Sequence, residues 1–206
     1  MAEEEEKARK RMNSLMSMDG ERQIIKFGKY YITNPIIKSP IEWKIIDTKG
    51  DRALVVSTMV LDKQPYNENN GPYAGVTWER CSLRTWLNDV FMKKAFTKEE
   101  QQLILETENV NHDNTIWGTP GGRNTIDKIF ILSEKEYYHY FQDYRLILCD
   151  KTPFAIQRRG FNNFWGRTPG KSPNEAYNIT SSIRKEQTFS VEKSAGVRPA
   201  MWIKIK

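Results

Sequence analysis

The last eleven residues, Gly196-Val197-Arg198-Pro199-Ala200-Met201-Trp202-Ile203-Lys204-Ile205-Lys206, constrain the fold more than any other stretch. Gly196 supplies backbone free to take positive φ, and a residue before proline is driven to extended geometry. The segment therefore reads as a tight turn entering a strand. Alternation puts Ala200, Trp202 and Lys204 on one face and Met201, Ile203 and Ile205 on the other. A chain that ends in a strand needs a sheet already formed for that strand to join. A second cluster, Phe164-Trp165-Gly166-Arg167-Thr168-Pro169-Gly170, shares the same mixture of ring, glycine, arginine and proline.

Upstream, the spacing predicts an antiparallel meander. Residues 24–32 form one strand and residues 41–47 a second, with Trp43 and Ile45 on one face and Lys44 and Ile46 on the other. Lys49-Gly50-Asp51 is a turn. Residues 53–57 are apolar on both faces and read as a central strand. Helical period takes over at Ser82, read as an N-cap, with Leu83, Trp86, Leu87 and Val90 as the buried stripe. Thr97 with Glu100, and Ser133 with Glu136, are capping boxes. The first opens a helix through Leu105. The second opens one whose Tyr137, Tyr140 and Phe141 face inward. Residues 128–132, 161–165, 176–180 and 189–191 read as strands.

Two stretches, residues 61–78 and 109–125, are long, polar and rich in Asn, Gly and Pro, the make-up of loops that carry function or are pinned by their own side chains. Residues 1–23 stand apart. Glu3/Lys7, Glu5/Arg9 and Glu6/Lys10 are favourable i,i+4 pairs, each worth only about 0.2–0.5 kcal/mol. The segment reads as a charged tail or as a helix that mediates oligomerisation, leaving residues 24–206 as a single domain.

The hydrophobic fraction is only 38%, but aromatics make up 12%, so the expected core is built of rings rather than of Leu and Val. The net charge of +6 is spread along the chain and forms no compact basic stripe, so nucleic acid is not expected as a partner. Cys81 and Cys149 form no CxxC and read as free thiols. No segment is apolar enough to span a membrane and the N-terminus has no signal-peptide core, which points to a cytoplasmic chain.

Several stretches in order resemble a bacterial family of uncharacterised domains, the DUF6273 type. They are Ile25-Lys26-Phe27-Gly28-Lys29-Tyr30, residues 41–46, Thr77-Trp78-Glu79 leading to residues 83–88, Phe130-Ile131-Leu132-Ser133 with Glu136, residues 165–170, and residues 196–200. The ending is also similar to the formylglycine-generating-enzyme branch of C-type-lectin-like folds. That resemblance implies an α+β domain with a twisted, mostly antiparallel sheet, two to three helices and long loops. It further implies that the N- and C-terminal strands are adjacent, residues 24–32 beside residues 201–205. It also implies a ligand-binding surface, in some relatives a diversified one, in the C-terminal half.

No catalytic constellation emerges. A formylglycine-generating enzyme needs a copper-binding cysteine pair that Cys81 and Cys149 do not match. His112 and His139 lack the carboxylate-held geometry of a triad. No cofactor is expected. Asn109, Asn111, Asp113 and Asn114 offer oxygen ligands suited to calcium, without the Asp-x-Asp-x-Asp-Gly spacing. The chain is read as a non-enzymatic module that binds a protein or glycan through loops 62–77, 109–125 and 157–178. Tyr66, Tyr73, Trp117, Asn162, Asn163, Trp165 and Arg167 are the candidate contacts, and Arg198 is read as structural, stacked near Trp165 and Trp202. The alternatives are an enzyme with a carboxylate-based site assembled in space and a structural protein that oligomerises through residues 1–23.

Overall fold

The structure, a computed structural model, describes residues 17–19, 22–68, 75–141, 147–157, 163–180 and 187–205. The helix expected in residues 3–10 lies outside them. Strands β1 (Ser17–Asp19), β2 (Arg22–Tyr31), β3 (Lys38–Lys49) and β4 (Arg52–Ser57) run as the expected meander. The hairpin of β1 with β2 puts the sheet's edge inside the segment read as a tail. The β3–β4 turn holds Gly50 at φ +63°. β5 is Asp62–Pro65.

Helix α1 (Ser82–Trp86) is capped by Cys81, whose sulfur accepts from the Arg84 N–H, rather than by Ser82. It runs through a π-helical turn (Leu87–Phe91) into α2 (Met92–Ala95). The wider turn shifts the buried stripe to Leu83, Leu87 and Phe91, leaving Trp86 and Val90 half-buried. The Thr97–Glu100 capping box opens α3 (Lys98–Leu103), which stops two residues short of Leu105, because β6 (Ile104–Leu105) joins the sheet. β7 (Thr107–Asn109) and β8 (Thr125–Asp127) form a hairpin. The Ser133–Glu136 box opens α4 (Glu134–Tyr140), with Tyr137 and Phe141 buried and Tyr140 half-buried. α5 (Pro153–Gln157), β9 (Asn163–Pro169), β10 (Glu175–Thr180), β11 (Thr188–Ser190), β12 (Ser194–Val197) and β13 (Ala200–Lys204) complete the chain.

The result is an α+β arrangement of two main sheets. One is ordered β1-β2-β3-β4-β13-β6, with every pair antiparallel. The other is ordered β11-β10-β9-β12-β5 and has one parallel pair, β9 with β12. The terminal strand is therefore not beside the first one: β3 and β4 lie between β2 and β13. The physical reason is a long shared ladder. β4 pairs with β13 from Arg52↔Lys204 to Val56↔Ala200, and β5 pairs with β12 from Asp62↔Val197 to Pro65↔Ser194. Between these runs, Ser57 N–H donates to Pro199 O and Leu61 N–H to Val197 O, both at 3.0 Å. The two chain segments cross from one sheet to the other together. The lectin-like expectation rested on neighbouring end strands, and the sheet order removes that support.

Arg198 and Pro199 sit at this corner, where the missing proline N–H interrupts no ladder. Gly196 is not a positive-φ turn residue. It lies in β12, where a Cβ would stand 2.7 Å from Val60 Cγ1 and 2.8 Å from the Asn163 carbonyl oxygen. Residues 128–132 do not form a strand: Phe130 alone bridges to Ala200, and Asn88 Oδ1 accepts the N–H groups of Lys128 and Ile129. The core is rich in rings, with Trp43, Trp78, Trp165, Tyr66, Tyr137, Phe91 and Phe130 among its largest fully buried side chains. Among the described residues no helix is long and apolar enough to cross a membrane.

Candidate functional site

The loop between β7 and β8 is polar because its own side chains hold its shape. Asn114 Oδ1 accepts the N–H groups of Ile116 (2.9 Å) and Trp117 (3.1 Å), and its Nδ2 donates to Pro169 O at 2.8 Å. Asp113 Oδ1 accepts the Gly121 N–H, and Asn111 Nδ2 donates to Arg123 O. Each bond satisfies a backbone group that a loop would otherwise leave to water. The polar run is thus a rigid wall, and it carries two apolar side chains, Val110 and Ile116, outward.

Facing that wall is the outer surface of α4, with Lys135 and Tyr138, and beneath both runs β9 with Arg167 and Thr168. Together they enclose a cleft of about 720 Å³. Arg167 forms its floor. The side chain is almost fully buried; Nη2 donates to Glu136 Oε2 at 2.8 Å, and Nη1 donates to Asn111 Oδ1 at 3.3 Å and Val110 O at 3.4 Å. Glu136 also closes the α4 capping box on Ser133. One arginine thus ties the loop, the helix and the sheet that form the cleft.

The structure separates the residues singled out from sequence. Arg167 is at the cleft floor. Trp165 is fully buried: its indole N–H donates to Gln64 O and its ring meets Tyr66 edge-on at 5.4 Å. Tyr66 is buried too, its hydroxyl donating to Arg167 O at 3.1 Å, and burial pushes that hydroxyl well above the usual phenol range. Asn163 is buried in β9, its Nδ2 donating to Asn178 Oδ1 at 2.8 Å. These three are core residues: Asn163 and Trp165 lie in β9, and Tyr66 directly follows β5 and packs against Trp165. Trp117 is half-buried on the β7–β8 loop and does not line the cleft. Tyr73 and Asn162 lie outside the described residues.

Other chemistry is less developed. His112 and His139 are exposed. Both cysteines are free; burial pushes the Cys81 thiol up to about 12 and raises Cys149 as well, which keeps both protonated and unreactive. Oxygens of Asn111, Asp113 and Asn114 are engaged by protein donors, and Asn109 donates to Asp127. Among the described residues no group of three His, Cys, Asp or Glu could hold a metal ion. Arg198 is structural as expected, but its rings are Phe141 and Phe164, 5.5 and 5.7 Å away, rather than tryptophans.

Sequence reasoning missed Val110, Ile116, Lys135 and Tyr138. The available signal was apolar side chains off any buried stripe: Ile116 inside a polar loop, and Tyr138 next to the inward Tyr137.

A family model described as "Domain of unknown function (DUF6273)" matches residues 50–205. No curated protein and no solved structure is similar enough to the chain to match it.

Proposed function

The chain belongs to the DUF6273 family, and from that premise we propose that it is a non-enzymatic binding module whose ligand sits in the cleft between the β7–β8 loop and α4. One observation carries this reading. Val110, Ile116 and Tyr138 line the cleft, and they are three of the seven large hydrophobic side chains left exposed among the described residues. Apolar groups gathered in a concavity with a few fixed polar groups are the usual make-up of a ligand site. Residues 110–116 of the loop 109–125 supply one wall, and Arg167 and Thr168 of β9 supply the floor. The ligand is a protein segment or a glycan.

A fragment screen followed by amide chemical shifts of the full chain tests the assignment. Hits should move the amides of residues 110–116 and 133–138. Hits gathered instead at the smaller groove beside Arg84 and Lys128, or at the exposed Ile36–Ile37 tip, would place the site elsewhere.

A further inference from the structure

This inference rests on the cleft being the binding site and concerns what it accepts. Its polar side chains are largely committed already. Asn111 spends its amide on Arg123 O and its carbonyl on Arg167; Thr168 Oγ1 accepts the Glu134 N–H at 2.9 Å; Ser133 Oγ donates to Glu136 Oε2 at 2.9 Å. Arg167 is turned to Glu136, Asn111 and two backbone carbonyls. A sugar presents several hydroxyls around each ring, and every one that is desolvated without a partner costs about 1–3 kcal/mol. The floor of the cleft, where Asn111, Ser133, Arg167 and Thr168 are paired with one another or with backbone, has few free donors and acceptors to meet them. Its walls are aliphatic as much as aromatic: of Val110, Ile116 and Tyr138, Tyr138 alone offers a flat face on which a sugar ring would stack.

Among the described residues, what remains free lies at the exposed rim: Asp113 Oδ2, His112 and Thr115 on the loop wall, and the Lys135 ammonium and Tyr138 hydroxyl on the helix wall. An apolar middle with charged and polar groups at its edges, Asp113, Glu134 and Lys135 among them, complements a peptide: an aliphatic or aromatic side chain in the cleft, with polar backbone or charged neighbours at the two ends. The volume of about 720 Å³ fits one or two large side chains with the backbone that joins them. We propose that the ligand of this cleft is a peptide segment anchored by a bulky apolar side chain, and not a glycan.

The test uses the full chain and three defined probes: a hexapeptide pool with Leu, Phe or Trp fixed at the third position, the same pool with Ser fixed there, and a panel of mono- and disaccharides. The readout is the amide shifts of residues 110–116 and 133–138. The apolar-anchor pool should shift them, the Ser pool should do so at least tenfold more weakly, and Ile116→Lys should abolish the response with the remaining spectrum unchanged. Equal response to the Leu/Phe/Trp and Ser pools overturns the apolar anchor. A response to saccharides alone overturns the peptide class while leaving the cleft as the binding site. If all three probes leave the cleft silent and shift amides elsewhere, the binding-site assignment itself fails.

Discussion

Arg198 and Arg167 are each 2% exposed, but the regions around them are built differently. Arg198 is sealed into the corner where two strand pairs cross between sheets. Its Nε donates to Ser57 O at 3.0 Å, its Nη1 donates to Ile147 O at 2.6 Å, and its guanidinium lies over Phe141 and Phe164. Arg167 lies under a cleft, and its main partner, Glu136, keeps about a third of its side-chain surface in solvent. The first region is closed on every side. The second is open on one side, and Val110, Ile116 and Tyr138 on that open side stay between 39% and 49% exposed. The difference teaches that burial of an arginine says little by itself; what the surrounding groups could do without it decides its role.

Variants can break or sharpen the contrast. Arg198→Ala strands two carbonyls and empties the space between two rings, so chemical denaturation should show a loss of about 4 kcal/mol. A loss no larger than that of Arg167→Met would dissolve the distinction. Gly196→Ala, beside the same corner, drives a methyl into Val60 and the Asn163 carbonyl and should cost about 2 kcal/mol, because backbone on the far side cannot move away. Arg167→Met should cost about 1 kcal/mol, since Glu136 can hydrate when its partner is gone. Its clearer effect should be on the cleft, with altered amide shifts across residues 110–116.

The legibility of these two regions from sequence also differed. The meander, the two capping boxes and the ring-rich core follow from local pattern, because alternation and cap chemistry act over a few residues. The partner of the last strand did not follow. Alternation says that residues 200–204 are a strand but not which neighbour they take, and β5 and β12, through which the choice is made, are too polar or too small in side chain to announce themselves: Asp62-Lys63-Gln64-Pro65 and Ser194-Ala195-Gly196-Val197. The same hidden strands explain the misplaced contacts. Tyr66 follows β5 in a stretch that reads as a surface loop, and Trp165 lies in a stretch read both as a strand and as part of a binding surface; both sit in the interior, where they pack on each other. Of the candidate contacts that the structure describes, Arg167 alone lines the cleft, beside Asn111 and Asp113, which were read as oxygen ligands. The residues that give the cleft its surface left only a weak signal, because an exposed isoleucine or tyrosine carries meaning only once its neighbours in space are known.

The central claim is that the lining of the cleft serves a ligand and not the fold. The double substitution Ile116→Lys with Tyr138→Lys tests it most directly, with urea unfolding and the apolar-anchor peptide titration measured on the same sample. The account predicts stability within about 0.5 kcal/mol of the parent chain and a lost peptide response. A stability loss of about 2 kcal/mol or more, or a peptide response that survives both lysines, would contradict it.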